Sequence, residues 1–356
     1  MTAPAVPAVA PVQPATQGRR TARVAVLGAS GYAGQEFVRL AIAHPGVSIA
    51  ALVTREHAGR PAAELLPGLD ARAASLPDPV APDVLPRLFE AGAFDTLIAC
   101  MPHGAWKAYA AEHAGWVAEV PRIIDLSSDF RDGAEGYVYG MPEAFRDALA
   151  GARRIANPGC YPTAATLALC PALEREWLAG DISITALSGV SGAGRAPALR
   201  TSFVELDGGA AIYRAGEEHA HVSEMARNFG RLAGSPAAVA FVPQLAPMAR
   251  GILLTATAPL KHEVDPDEAR EAYLERYAGE TFVRVLDPGV WPETRTVRNS
   301  NRADLTVTTV HGGRTLLATA AIDNLVKGAA GQALQNLNLM LDWPEHWALP
   351  VHGNPW

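Results

Sequence analysis

Short apolar runs alternate with helical patterns along the first part of the chain. Arg23–Leu27 predicts a strand that enters a glycine-rich turn, and the apolar residues from Tyr32 to Ala43 then recur with the period of a helix. The further predicted strands are Val47–Val53, Phe94–Cys100, Arg122–Leu126 and Arg153–Ala156, with another helix around Ala105–Ala114. Strands that alternate with helices are typical of an α/β fold with a parallel, doubly wound sheet of the Rossmann type.

From about Gly180 onward, predicted strands follow one another with few helices between them. These strands are Asp181–Val190, Val239–Val242, Gly251–Leu260, Phe282–Leu286, Asp304–Val310 and Arg314–Ile322. A single helix, Ala269–Ala278, is marked by Asp265 as its N-cap, Pro266 at its first position and Glu268 as the capping-box partner. This half is therefore predicted to be an α+β domain with a mixed or antiparallel sheet.

A chain of 356 residues exceeds the usual size of one domain. We expect, in chain order, a disordered tail at 1–19, a dinucleotide-binding domain at 20–158, a catalytic, substrate-binding and dimerisation domain at 159–323, and a C-terminal part at 324–356 whose helix returns to the first domain. The tail is rich in Ala and Pro and lacks a basic n-region, which argues against a secretory signal.

Composition excludes several classes of function. A net charge of −7 argues against a broad basic face for nucleic acid. Three cysteines are too few for a disulfide framework and indicate a reducing compartment. No apolar run approaches the ~20 residues of a membrane helix. We therefore expect a cytoplasmic protein without a nucleic-acid or membrane partner.

The glycine loop Gly28-Ala-Ser-Gly31-Tyr-Ala-Gly34 lies between the first predicted strand and helix, where backbone N–H groups can hold a pyrophosphate. Its spacing is G-x-x-G-x-x-G rather than G-x-G-x-x-G, and a packing role for the glycines is the alternative. The second strand ends in Thr54-Arg55 instead of an acidic residue. Arg55 could pair with a 2′-phosphate, which favours NADP over NAD; a solvated surface arginine is the other interpretation.

Cys160 stands in the stretch NPGCYPT, between a predicted strand and a helix predicted to begin near Pro162. Exposed amides at a helix start stabilise a thiolate and can donate to an oxyanion. We therefore predict that Cys160 is a nucleophile whose pKa is lowered by the helix start, with inert burial as the alternative. Cys100 and Cys170 lie in apolar surroundings and are predicted to belong to the core.

A thiol nucleophile in acyl transfer needs an acid-base partner, and the segment 217–224, EEHAHVSE, offers two histidines beside carboxylates. His219 and His221 would share a face if the segment were extended. Structural hydrogen bonding is one alternative, and metal binding is another, although no nearby residue completes a metal-ligand set and no metal site is predicted. The loop Ser188–Arg195 could grip an anionic substrate, with a plain turn as the alternative.

Taken together, these motifs closely resemble the N-acetyl-γ-glutamyl-phosphate reductase family of arginine biosynthesis, which is related to the aspartate-semialdehyde dehydrogenases. The resemblance spans nearly all of the chain after the tail. The motifs that carry it are GASGYAGQE at 28–36, MPHGAW at 101–106, DLSSDFR at 125–131, YGMPE at 139–143, NPGCYPT at 157–163, SGVSGAGR at 188–195, EEHAHVSE at 217–224, PMARGI at 247–252 and DNLVKGAAGQALQN at 323–336.

The resemblance implies that Cys160 attacks an acyl phosphate, that NADPH reduces the resulting thioester, and that His219 or His221 exchanges the proton, with His219 preferred. Glu224 is expected to orient a histidine. Cofactor contacts are implied for Gly28, Ser30, Gly31, Tyr32, Ala33, Gly34, Thr54, Arg55, Pro102, His103, Ser127 and Asn324. Substrate contacts are implied for Asn157, Ser191, Gly192, Arg195 and Arg250, the two arginines as clamps for phosphate or carboxylate.

Related activities stay open at this point. The same chemistry would act on an aspartyl or aminoadipyl phosphate, because acyl specificity depends on the shape of the pocket. A non-catalytic dinucleotide-binding regulator is the alternative from another class, and the intact Cys160 weighs against it. The resemblance also implies that inorganic phosphate is released and that the protein is a homotetramer or homodimer.

Overall fold

The computed structural model of the chain describes residues 21–69 and 75–354; the predicted tail at 1–19 lies outside these residues. The first sheet has six strands in the order β2-β1-β3-β4-β6-β5, and all of its pairs are parallel. Its strands are β1 Ala22–Leu27, β2 Val47–Val53, β3 Thr96–Ala99, β4 Arg122–Asp125, β5 Val138–Tyr139 and β6 Arg154–Ala156. The predicted parallel, doubly wound sheet is thus confirmed.

Helices connect the strands of this parallel sheet. They are α1 Tyr32–Ala41, α2 Ala62–Leu65, α3 Leu85–Glu90, α4 Ala105–Glu112, α5 Ala114–Val117 and α6 Pro142–Leu149, with 3-10 turns at Pro82–Val84 and Ala134–Gly136. The hydrophobic pattern did not predict β5 or the helices α2, α3, α5 and α6. β5 is only two residues long, too short for an alternating pattern to be visible.

The second sheet has seven strands in the order β11-β12-β13-β10-β7-β9-β8. Its strands are β7 Ile182–Ser188, β8 Ala211–Ile212, β9 Val239–Leu245, β10 Ile252–Pro259, β11 Val283–Val285, β12 Ala303–Val310 and β13 Thr315–Ile322. The β7–β9 and β11–β12 pairs are parallel and the other pairs are antiparallel, so the predicted mixed sheet is confirmed.

Helices cover one face of this mixed sheet. The helices of the second half are α7 Cys160–Glu174, α8 Phe203–Leu206, α9 His221–Ala233, α10 Pro266–Arg276, α11 Thr294–Val297 and α12 Gly331–Met340, with 3-10 turns at Val190–Ala193, Leu199–Thr201 and Gly216–Glu218 and a π turn at Val326–Ala330. Asp265 caps α10 as predicted, although its carboxylate accepts the N–H of Asp267. The prediction of a single helix in this domain is wrong, because α9 also buries an apolar stripe that includes Met225 and Phe229.

The C-terminal helix α12 packs against the parallel sheet. Leu334 and Leu337 belong to one buried apolar cluster with Val24 and Phe37 of the first sheet and its helix α1. The π turn before α12 consequently passes beside the start of α7, where Cys160 lies. Within residues 21–69 and 75–354, every helix is too short or too polar to traverse a bilayer.

Candidate active site

Cys160 is the first residue of α7 and follows the turn that leaves β6. Asn157 fixes this turn: its backbone N–H donates to Asp125 O at 2.7 Å, and its side-chain amide donates to Ala329 O at 3.1 Å. The amide of Asn336 donates to Asn157 Oδ1, also at 3.1 Å. Asn157 was expected to touch substrate, but it is 1% exposed, and its side chain connects the turn before Cys160 to the π turn and to Asn336 of the C-terminal helix.

The Cys160 thiol lies in a tight space between α7 and the π turn. A Cβ added to Gly328 would come within 2.7 Å of Cys160 Cβ, so only glycine allows this approach. Burial raises the pKa of the Cys160 thiol to about 11, although the charge of Arg131 and the N–H of Tyr161 act in the opposite direction. The expected lowering of the pKa by the helix start is therefore wrong, because desolvation outweighs it.

A buried ion pair between Arg131 and Glu224 stabilises the turn before Cys160. Glu224 accepts hydrogen bonds from Gly159 N–H at 2.9 Å, from Tyr139 Oη at 2.7 Å and from Arg131 Nη1 at 2.8 Å. Arg131 also donates through Nε to Asn157 O at 2.8 Å. Glu224 was expected to orient a histidine, but its carboxylate holds the turn and Arg131. Arg131 was missed, because nothing near it in the sequence points to a partner 93 residues away.

His221 lies against the turn before Cys160. A Cβ built on Gly159 would be 2.5 Å from His221 Nε2, so this nitrogen sits directly beside the residue that precedes Cys160. Within the described residues, the buried His221 Nδ1 has no hydrogen-bond partner. Burial lowers the pKa of His221 well below its ordinary value, so the ring is neutral at pH 7.

His219 forms a hydrogen bond with His221 rather than with the turn before Cys160. His219 Nδ1 accepts the backbone N–H of His221 at 3.2 Å, and the two ring centroids are 4.8 Å apart. The two residues do not share one extended strand, because His219 is extended whereas His221 is the first residue of α9. Burial lowers the pKa of His219 to about 4. His221 thus contacts the turn before Cys160, whereas His219 contacts His221; the preference for His219 as the acid-base residue stays a prediction.

Arg214 is a cation near His219 that was not predicted from the sequence. It is exposed, and its charge adds to burial in lowering the pKa of His219. Its side chain forms no hydrogen bond or ion pair with any residue in the described part of the chain. His103 lies nearby and lowers the pKa of both histidines in a minor way; its Nδ1 accepts the N–H of Ser128 at 3.0 Å. Arg214 is therefore an exposed cation near His219 whose charge no described carboxylate compensates.

The glycine loop fits a phosphate-binding turn. Gly28 has a φ of +86°, and a Cβ there would lie 2.3 Å from Cys100 O; a Cβ on Gly34 would lie 2.4 Å from Gly28 O. Gly31 differs, since its φ of −74° suits any residue and an added Cβ would meet only Gly28 O at 3.5 Å. The protein itself does not require glycine at position 31, whereas a ligand that approaches the backbone closely would.

Other predicted cofactor residues line the same loop. Thr54 Oγ1 donates to Ser30 Oγ at 3.1 Å, which joins the end of β2 to the loop. Tyr32 is exposed and Ala33 half-buried in the first turn of α1, whose amides have no side-chain cap. Arg195 was expected to clamp substrate; in the structure Arg195 Nη1 donates to Ser30 O at 2.9 Å, so this side chain contacts the glycine loop.

The remaining predicted cofactor residues differ in exposure. Arg55, Pro102 and His103 are exposed on the connections that follow β2 and β3. Ser127 is 1% exposed and its hydroxyl donates to Asp125 Oδ2 at 2.8 Å. The hydroxyl of Ser127 is therefore committed to the core rather than to a cofactor.

The loop after β7 is held by Asn324. Asn324 Nδ2 donates to Ser191 Oγ at 3.0 Å, and its Oδ1 accepts the N–H of Gly251 at 2.8 Å. Gly192 follows Ser191, and a Cβ there would come within 3.3 Å of Ser188 Oγ. The structure thus brings the predicted cofactor residue Asn324 and the predicted substrate residues of this loop together.

Arg250 has two carboxylate partners within the protein. Arg250 Nη2 lies 2.6 Å from Glu36 Oε2, and Arg250 Nη1 lies 3.4 Å from Asp323 Oδ2. Both carboxylates are buried, Glu36 in α1 of the first domain and Asp323 directly after β13. Arg250 was expected to clamp substrate, but Glu36 and Asp323 compensate its charge. Its side chain thereby connects the two domains.

Two family domains match the chain. The family described as "Semialdehyde dehydrogenase, NAD binding domain" matches residues 23–152, and "Semialdehyde dehydrogenase, dimerisation domain" matches residues 160–324. Among solved structures, the chain is similar to aspartate semialdehyde dehydrogenase II from Vibrio cholerae, with a TM-score of 0.70 and 17% identity over 91% of this chain and 99% of that one. A probable aspartate-semialdehyde dehydrogenase from Pseudomonas aeruginosa gives a TM-score of 0.71 at 17% identity, over 90% and 99% of the two chains. At this identity the likeness shows the fold.

Curated relatives are considerably more similar in sequence. The N-acetyl-gamma-glutamyl-phosphate reductase of Acidothermus cellulolyticus is 40% identical over 93% of this chain and 98% of its own. The protein of the same name from Saccharopolyspora erythraea is 39% identical over 94% and 99% of the two chains. The Thermus thermophilus protein of that name is 42% identical over 92% and 99%.

Proposed function

The chain belongs to the N-acetyl-γ-glutamyl-phosphate reductase family, and from this membership we propose that it reduces N-acetyl-γ-glutamyl phosphate to N-acetylglutamate 5-semialdehyde with NADPH. The observation that carries the proposal is the position of Cys160 at the start of α7, with His221 Nε2 against the preceding glycine. This pairing supplies a nucleophile and a proton acceptor at one turn.

Because burial keeps the Cys160 thiol protonated at neutral pH, its proton must leave as the sulfur attacks the acyl carbon. The neutral His221 ring is the proposed acceptor. Attack expels inorganic phosphate and leaves an acyl thioester on Cys160. When bound, reduced nicotinamide supplies the hydride that converts this thioester to the aldehyde level. His221 then returns its proton to the oxygen of the thiohemiacetal, whose collapse releases the aldehyde and restores the thiol.

The glycine loop is the proposed site for the cofactor pyrophosphate. Support comes from Gly31, whose missing side chain is not needed for packing, and from the uncapped amides of the first turn of α1. Arg55 is exposed where the second strand ends and can meet a 2′-phosphate, which favours NADP(H) over NAD(H).

Arg214 is the proposed anchor of the substrate's anionic groups. Its side chain is uncommitted within the described chain, whereas Arg131 and Arg250 have buried carboxylate partners. We also propose that the chain self-associates as a homodimer or homotetramer, which the match to a dimerisation domain supports. The three cysteines form no disulfide, which supports a location in the cytoplasm.

A substrate panel tests the reaction, the acyl group and the cofactor together. Phosphate-dependent reduction of NADP should be fastest with N-acetylglutamate semialdehyde, because the relatives named N-acetyl-gamma-glutamyl-phosphate reductase align over nearly the whole chain. Aspartate semialdehyde and unacetylated glutamate semialdehyde should each give at least about tenfold lower kcat/KM, a difference of about 1.4 kcal/mol. NAD should also be the poorer oxidant. A clear preference for either competing aldehyde would overturn the assignment.

Matched substitutions separate the two histidines. His221→Asn should lower kcat by about 10²- to 10⁴-fold, the usual contribution of a general acid-base group. His219→Asn should cost less than about tenfold, because the asparagine Oδ1 can still accept the N–H of His221. Steady-state kinetics across pH 6–9 measures both, and thermal unfolding checks that both variants fold. If His219→Asn shows the larger loss in kcat, His221 is not the principal proton acceptor.

A further inference from the structure

Lys327 is a buried cation that the proposed reaction does not use. It lies in the π turn Val326–Ala330 and is 0% exposed. Its Nζ donates to Glu143 Oε1 of α6 at 2.6 Å and to Gln335 Oε1 of α12 at 2.8 Å. The ring of Phe282 packs against it, with the ring centroid 5.7 Å from Nζ. The protein therefore encloses this ammonium group away from solvent.

The ion pair between Lys327 and Glu143 has little stabilising value by itself. Both side chains are 0% exposed, so each charge has lost its hydration, and apolar side chains of similar volume often give equal or greater stability. Burial alone would raise the pKa of Glu143, but the charge and hydrogen bond of Lys327 lower it overall, so the carboxylate is ionised at neutral pH. The pair does impose a strict geometric requirement, because either charge without the other would be unpaired in the core.

The turn that carries Lys327 has an uncommon backbone. Gly328 N–H donates to Asp323 O at 2.9 Å and Ala330 N–H donates to Leu325 O at 2.8 Å, each across five residues. Turns of this kind are rare and occur frequently at functional sites. An α-helical register, which bonds across four residues, would change the direction of the side chain at position 327 and separate it from α6. The buried pair therefore selects the wide turn.

The next residue of the same turn lies against Cys160. A Cβ on Gly328 would be 2.7 Å from Cys160 Cβ and 3.2 Å from Cys160 Cα. The turn before Cys160 is also attached to the π turn, because Asn157 Nδ2 donates to Ala329 O at 3.1 Å. The position of the π turn consequently determines the space around the first residue of α7.

We propose that Lys327 is a positioning residue for Cys160. Its buried ion pair with Glu143 holds the π turn in the register that places Gly328 against the thiol. This role rests on the proposed function, in which Cys160 is the nucleophile. Neighbouring residues of one turn thus contact two different helices, Lys327 on α6 and Gly328 on α7, and the first contact fixes the second.

Loss of the pair should make Cys160 a poorer nucleophile in catalysis but a more accessible thiol. Arg131 and Glu224 are the charged side chains that act most strongly on this thiol, so the effect of Lys327 is positional rather than electrostatic. Burial is the main cause that raises the pKa of Cys160 to about 11. A turn that relaxes away from the sulfur admits water, which lowers this pKa, and removes the fixed position from which the sulfur attacks.

Two variants separate position from stability. Lys327→Met leaves Glu143 unpaired and should unfold at a lower urea concentration than the wild type. The double variant Lys327→Met with Glu143→Gln removes both charges and should recover most of that loss. Gln335 stays paired in both variants, because its Oε1 still accepts the amide of Asn301 at 2.8 Å. A lysine that served stability alone would have no further effect in the double variant.

Arg146→Met is the matched control. Arg146 pairs with Glu280 and Glu345 at the solvent side of the same group of charges, at 2.7 Å in each case. Its hydrogen bonds within the described chain go to these two carboxylates and not to the π turn. Because its side chain is 41% exposed, this variant should keep kcat within about twofold and leave the alkylation of Cys160 unchanged.

Kinetics and thiol alkylation decide the result. In the double variant kcat for phosphate-dependent NADP reduction should fall about 10- to 100-fold, while KM for the aldehyde stays within about twofold because Arg214 is untouched. The rise of iodoacetamide alkylation with pH, followed at Cys160 by mass spectrometry, should shift to lower pH than in the wild type. Lys327→Met should show the same two changes, so either folded variant suffices.

The outcomes separate the positioning role from the reaction. A folded variant that keeps either the wild-type kcat or the wild-type alkylation curve overturns the positioning role, and Lys327 then serves stability alone. A wild type that fails the substrate panel overturns the proposed reaction instead. Alkylation needs no turnover, so a shifted curve would still show that the pair with Glu143 sets the surroundings of Cys160.

Discussion

Cys160→Ser is expected to lower turnover by about 10³-fold or more while NADPH binding stays within about twofold of wild type. Serine keeps the shape of the side chain, but its hydroxyl is a far weaker nucleophile than a thiol when its only activation is one neutral histidine. A 10³-fold loss corresponds to about 4 kcal/mol of transition-state stabilisation. Steady-state rates in both directions and fluorescence titration with NADPH measure the two quantities independently. Retained binding with lost turnover distinguishes a catalytic role of Cys160 from a structural one.

Cys170→Ser is the matched control, since Cys170 lies in the same helix and is fully buried. A hydroxyl buried there should reduce the free energy of unfolding by about 1–3 kcal/mol but leave kcat per folded molecule within about twofold. Mass spectrometry after rapid mixing with acyl phosphate should locate the acyl group on Cys160 in the wild type. An acyl group on another residue, or wild-type turnover by Cys160→Ser, would contradict thioester catalysis.

The turn that carries Cys160 could be predicted because its signal is local. Asn157-Pro158-Gly159 before Cys160 and Pro162 after it describe a turn into a helix within seven residues, and α7 indeed begins there. The sign of the pKa shift could not be predicted in the same way. It depends on how closely the π turn packs against Cys160, and Gly328 in that turn is 168 positions further along the chain.

The arginines show the same limit. Arg250 stands beside a glycine in a motif that suggests anion binding, but its carboxylate partner Glu36 is 214 residues away in α1. Arg195 donates a hydrogen bond to a backbone carbonyl of the glycine loop, and a sequence gives no sign of such a partner. Conversely, no recognisable sequence motif surrounds Arg214. Its candidacy as a substrate anchor depends on the approach of its loop to His219 in the structure. Residue chemistry thus identifies candidates, while tertiary contacts decide which charge is available.

Breaking the ion pair between Arg131 and Glu224 is expected to cost about 3–5 kcal/mol of unfolding free energy in either single variant, Arg131→Met or Glu224→Gln. Each change leaves an uncompensated charge, because the two side chains are only 5% and 4% exposed. The double variant removes both charges and should be less destabilised than the sum of the two. Arg175→Met is the control, because it breaks an exposed pair with Glu275 and should cost less than about 1 kcal/mol. Urea unfolding measures all four proteins, and additive losses would contradict direct coupling.

The same variants should move the titration of Cys160 in opposite directions. The positive charge of Arg131 lowers the pKa of the thiol, so Arg131→Met should raise it; the negative charge of Glu224 raises that pKa, so Glu224→Gln should lower it. The rate of alkylation by iodoacetamide follows the thiolate fraction, and its rise with pH should therefore shift to higher pH in Arg131→Met and to lower pH in Glu224→Gln. In the wild type the rate should still be rising at pH 10, since burial raises the pKa to about 11. If both variants shifted the curve in one direction, a general loosening of the turn would explain them better than charge. Opposite shifts would show that this pair tunes the nucleophile as well as holding its turn.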